Sequence, residues 1–188
     1  MSSIVGYVVP MRDLGSFDLA GYSRGRSSFL LLMWWLVQNL IFKAFWLPNR
    51  IRPRILRLFG AEIGKGNQIR RGVRVHFPWR LQIGNNCWIG EEVWFINHER
   101  ITIGNDVCIS QASILCSGSH NYRTKSLAFR HKPISILSGA WLGLRSTVLA
   151  GVTVGECSVV SAGEVLRTSV PNLSIIINGE IRSVSEPI

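Results

Sequence analysis

Four histidines punctuate the middle of this 188-residue chain, and imidazole is the side chain that most readily takes a proton near neutral pH. His120, in "SILCSGSHNYRT", stands where a regular run of aliphatic residues breaks off. It is the candidate for general-base chemistry. His76, His98 and His120 are spaced by 22 and 22, which raises zinc ligation and a carbonic-anhydrase-like site as an alternative. The surrounding repeat has a twenty-residue period, so each step slides a histidine by about 6–7 Å at ~3.3 Å per residue. That spread predicts no convergent metal site. The four cysteines (Cys87, Cys108, Cys116, Cys157) form no CxxC pair and read as reduced core residues.

These candidates must be held by something. From Ala61 onward aliphatic or aromatic residues return every six positions: Ile63, Ile69, Val75; Ile83, Ile89, Phe95; Ile103, Ile109, Leu115. After a break the beat resumes at Ile136, Leu142, Val148, Val154, Val160 and Leu166. Six residues at ~3.3 Å make one short strand and a tight turn, and three such sides close a triangular coil. Val75, Phe95 and Leu115 are twenty residues apart, so each early coil carries a two-residue bulge at one corner. Glycine and Asn after the aliphatic residue are expected to supply unusual turn angles.

Upstream, "SSFLLLMWWLVQNLIFKAFWLPNR" is nearly all apolar, with Ser27 or Ser28 as N-cap and Pro48 as stop. Residues 28–47 suit a helix that lies in a membrane interface, packs on the protein, or just spans a bilayer. The expected organisation is an arm and apolar helix over 1–60, a mainly β solenoid over 61–170 with a loop near 117–133, and a tail over 171–188. Hydrophobic residues are 47% and charged residues 17%, which excludes a disordered chain. A net charge of +10 suits an anionic partner. Charge alone, with no recognised motif, gives no case for nucleic acid. No secretory signal opens the chain, which is expected to be cytoplasmic, with peripheral contact at the inner face of the membrane.

The beat in "LRLFGAEIGKG", "FPWRLQIGNNCWIGEEVW", "ITIGNDVCISQASILCSGSHNY" and "GAWLGLRSTVLAGVTVGECSVVSAGEVL" resembles the hexapeptide-repeat acyltransferases. Within them it is similar to the colanic acid biosynthesis acetyltransferases, related to the maltose and galactoside O-acetyltransferases. The resemblance implies a left-handed parallel β-helix, a homotrimer, and acetyl-CoA-dependent O-acetylation of a sugar hydroxyl in surface polysaccharide assembly. The acceptor would be a sugar or a lipid-linked oligosaccharide. It implies His120 as general base in direct transfer, Asn97 and Trp141 as acceptor contacts, and no metal. Gly143, Arg145, Ala162, Gly163, Arg167 and Arg182 would hold the acyl donor. Asn121 follows the histidine and is no acid, so the group orienting His120 must come from elsewhere, for example a backbone carbonyl. A non-catalytic binding or scaffold protein on the same fold is the other alternative.

Overall fold

The computed structural model describes residues 10–17 and 22–183; the rest of the arm and of the tail lies outside the described residues. The hexapeptide beat folds into a three-faced prism of stacked parallel strands. The first face carries Glu62–Ile63, Leu81–Ile83, Ile101–Ile103, Ile134–Ile136 and Thr153–Val154. The second runs from Gln68–Ile69 through Trp88–Ile89, Cys108–Ile109, Trp141–Leu142 and Val159–Val160 to Ser174–Ile177. The third holds Arg74–Val75, Trp94–Ile96, Ile114–Cys116, Thr147–Leu149 and Val165–Leu166.

Register follows the beat residue for residue. Ile63 pairs Ile83, Ile83 pairs Ile103, Ile103 pairs Ile136, and Ile136 pairs Val154. Each of these points inward, so the core is three parallel columns of buried aliphatic side chains. Burial of each contributes about 1.5–3 kcal/mol. Ser113, Ser146 and Ser158 plug the interior and are fully buried; Ser113 Oγ donates to the Gly143 carbonyl and Ser146 Oγ to Ser113 Oγ. The two surplus residues of each early coil lie at the corner after the third face, where Val75 leads to Leu81 and Phe95 to Ile101.

Several expectations are corrected. The glycines after Ile63 and Ile83 serve close stacking rather than turn angles: a Cβ on Gly64 would sit 2.4 Å from the Gly84 carbonyl oxygen. Left-handed angles fall two residues further on, at Gly66 and Asn86 as expected of Gly and Asn, and at Asp106, with φ 73, 58 and 55. Only Cys87 is buried; Cys108 and Cys116 occupy outward positions and Cys157 is exposed at a corner. The solenoid also runs past residue 170, because Val170 bridges Val154 and Ser174–Ile177 adds to the second face before an antiparallel return, Glu180–Ser183.

The apolar helix is shorter than the sequence suggests. α1 (Ser28–Val37), with the Ser27 hydroxyl accepting from Leu30 N–H, passes into a π-helical turn over Gln38–Phe42, before Pro48 is reached. The reason is the first coil, whose strands expose unpaired backbone groups at the end of the prism. Trp34 Nε1 donates to the Val75 carbonyl, and Gln38 Oε1 accepts from Val75 N–H. From α2 (Arg52–Leu58), Arg52 donates to Ile69 O and Arg57 to Ile63 O. Capping side chains thus reach all three faces, two of them on the third.

Candidate active site

The corner after the third face collects the histidines. His76 and His98 follow successive strands of that face, and the long insertion there folds as a hairpin, Gly118–His120 pairing antiparallel with Phe129–His131. Ser117 pins its base, accepting from Glu99 N–H and donating to Glu99 O. A Cβ on Gly118 would lie 2.6 Å from His98 Cδ2, so only glycine lets the imidazole rest against the hairpin.

His120 ends the first hairpin strand and is exposed, with its ring centroid 5.4 Å from Phe129 and 5.7 Å from Phe17. Its Nδ1 lies 2.8 Å from the Leu127 carbonyl oxygen. A carbonyl only accepts, so Nδ1 carries the proton and the Nε2 lone pair is free. Leu127 holds φ 49, a left-handed angle uncommon for a leucine, which turns that carbonyl toward the ring. The orienting group is therefore a backbone carbonyl seven residues away, and Asn121 takes no part. Its Oδ1 accepts from Arg123 N–H instead.

Beside His120 runs a cleft of about 750 Å³ between α1 and the outer surface of the third face. Trp35, Gln38, Arg74, Trp94, His76, His98 and Phe129 are among its walls. The Arg74 guanidinium stacks 4.1 Å above Trp94. The arm is fastened across the hairpin: Asp13 N–H donates to Lys125 O, Arg12 to Tyr122 O, and the Tyr22 hydroxyl lies 2.8 Å from His98 Nδ1. Burial pushes His98 down to about 4, with His76 and Arg80 adding to it. It is thus neutral at pH 7, and its Nδ1 is hydrogen-bonded to the Tyr22 hydroxyl. Burial also lowers His76, helped by Arg24 and Arg80. Tyr22 is raised by burial.

His76 and His98 lie closer than their offsets predict. The His76 and His98 rings are 4.6 Å apart. Even so, no group of three or more His, Cys, Asp or Glu able to hold a metal occurs among the described residues. Asn97 does not line the cleft. It is fully buried, with Oδ1 accepting from Phe77 N–H at 2.9 Å and Nδ2 donating to Phe77 O at 2.6 Å. These contacts hold one N–H and one lone pair of its amide against the corner below.

Trp141 is not brought to His120 either. It stands half exposed on the second face, opposite the histidine corner, and donates to Ser110 Oγ. Gly143, Arg145, Ala162 and Gly163 do gather, on the corner between second and third faces. Gly143 N–H donates to Val160 O and Gly163 N–H to Leu144 O, and a Cβ on Gly163 would meet nothing within 4 Å. This smooth edge of small residues beside the Arg145 guanidinium fits a slim anionic ligand. Arg167 follows the last strand of the third face, and Arg182, on the closing hairpin, pairs with Glu180 at 3.2 Å. The residues that sequence reasoning missed are Leu127, Tyr22 and Phe129, all defined by contacts made through the hairpin and arm.

The framework is thus a parallel three-faced β-helix with a histidine-bearing hairpin inserted at one corner. No family model matches the chain. It is 38% identical over 164 residues to the protein of Escherichia coli (strain K12) named as the colanic acid biosynthesis acetyltransferase WcaF, covering 86% of this chain and 89% of that one. Its fold matches a hexapeptide-repeat acetyltransferase of Vibrio cholerae solved with acetyl coenzyme A, at TM-score 0.75 and 23% identity over 85% of this chain and 88% of that one. A galactoside acetyltransferase solved with coenzyme A matches at TM-score 0.67 and 19% identity, over 85% and 82% of the two chains. The chain belongs to the WcaF family of hexapeptide-repeat acetyltransferases.

Proposed function

We propose that the protein transfers an acetyl group from acetyl-CoA to a sugar hydroxyl in the assembly of a surface polysaccharide, with His120 as the general base. The observation that carries this reading is the His120–Leu127 contact, which in the neutral ring turns the Nε2 lone pair away from that carbonyl, beside an aromatic-walled cleft. Rings such as Trp35 and Trp94 suit the apolar faces of a sugar. In the proposed step Nε2 removes the hydroxyl proton as the acceptor oxygen bonds to the thioester carbonyl carbon. The tetrahedral adduct then collapses, the carbon–sulfur bond breaks, and the imidazolium returns its proton to the departing thiolate.

The donor candidates Gly143, Arg145, Ala162 and Gly163 lie on a different corner of the prism from His120. A neighbouring copy that turns this edge toward the histidine corner would complete the site, and a homotrimer does so three times over. The WcaF relative's name supports the polysaccharide setting. Purified protein given acetyl-CoA and a panel of sugars should release free thiol, and His120→Ala should lower that rate by about 10³-fold or more. Near-wild-type release by His120→Ala would refute the assignment.

A further inference from the structure

While the inner side of α1, the π-helical turn and α2 closes the first coil, the outer side is left bare. Phe29 is 71% exposed, Leu40 69%, Phe45 80% and Leu58 83%. Phe29, Leu32, Met33 and Leu40 recur at helical spacing, opposite buried Trp34, so they form one outward stripe. Trp46 and Ile51 continue the exposed apolar surface. An apolar patch of this kind marks an interaction site.

The charges around it have one sign. Residues 28–60 include Lys43, Arg50, Arg52, Arg54 and Arg57 and no Asp or Glu. A second cleft, of about 370 Å³, opens between α2 and the first corner of the prism, lined by Arg50, Arg54, Arg57 and Lys65. None of these four is in an ion pair among the described residues.

We infer that this face docks the protein on an anionic lipid bilayer. The apolar stripe enters the headgroup boundary, Trp46 and Phe45 sit at its level, and the basic cleft receives lipid phosphates. A second copy of the chain fits poorly, because a twofold contact would set Arg50 and Arg54 against their own counterparts with no carboxylate between them. Docking is along the surface. No helix among the described residues is long and apolar enough to cross a membrane, and the ten residues of α1 with the five of the π turn reach only about 22 Å against a ~30 Å core. Leu32 and Trp35 belong both to the exposed surface and to the wall of the cleft ending at His120, so the bilayer would lie at the cleft mouth.

Flotation of the full chain with vesicles of phosphatidylcholine alone, or of phosphatidylcholine mixed with phosphatidylglycerol, tests this without requiring activity. Capture by the phosphatidylglycerol vesicles, and its loss at high salt, is expected. Arg50→Gln with Arg54→Gln should weaken capture about 25-fold, at about fivefold for each arginine. Phe45→Asp with Leu58→Asp should abolish it while leaving the mass by light scattering unchanged. Failure of the phosphatidylglycerol vesicles to capture the chain, or equal capture by both kinds of vesicle, overturns the inference. So does a smaller assembly in the Phe45→Asp, Leu58→Asp protein, which would assign the face to a second copy.

Discussion

Replacing His98 with glutamine should flatten the acid side of the stability profile by about 2 kcal/mol. In the folded chain His98 is held down to about 4, first by burial and then by His76 and Arg80. In the unfolded chain it titrates near 6.5. Between those values the unfolded state binds the extra proton, so stability rises with pH and is lost as pH falls from about 6.5 to about 4. Below that window both states are protonated and nothing more is lost. A tenfold change in proton affinity is worth about 1.4 kcal/mol, which gives about 3 kcal/mol for the whole step. The ring is partly open to solvent, and about 2 kcal/mol is the discounted figure. Urea unfolding at a single protein concentration, from pH 7.5 down to 4, reads the effect in both proteins. Titratable groups remote from His98 are common to both and cancel in the difference. Profiles that superimpose would refute the reasoning.

Arg52→Leu should lower stability by about 3 kcal/mol, since Arg52 donates to the carbonyls of Phe42 and Ala44 at the end of the π turn and lies fully buried. A thermal melt should fall by about 10 °C, with Arg52→Lys recovering less than half. Leu127→Pro forces φ from 49 to about −65 and swings the carbonyl off His120; kcat should drop about 100-fold with the donor's KM little changed. Leu127→Gly accepts the angle and should stay within about twofold of wild type.

The solenoid could be read from sequence because each inward position must be aliphatic and each is reached in six steps; Ile63 to Ile83 to Ile103 appears in the chain as it does in the ladder. His120 was legible for the converse reason, standing where that constraint lapses. Its partner was not. A backbone carbonyl has no residue type to betray it, and Leu127 gives no hint of its left-handed angle. The Phe77 contacts of Asn97 were equally hidden, because an amide at a corner looks the same in sequence whether it meets a ligand or the backbone of the coil below. In the apolar segment, the carbonyl oxygen of Gln38 receives the edge amide of Val75, a contact set by docking rather than by pattern.

All departures from the six-residue beat between strands up to Ile136 fall on one vertical line. Val75 to Leu81, Phe95 to Ile101, and the hairpin between Cys116 and Ile134 share the corner after the third face, while the other two corners keep their length. Insertions and deletions on that line leave every ladder in register, so length can drift there at little cost to folding. The same line carries the histidines and one wall of the cleft. A lineage built on this prism can therefore explore new acceptors by trial of loop length alone, with its folding machinery sheltered from the experiment.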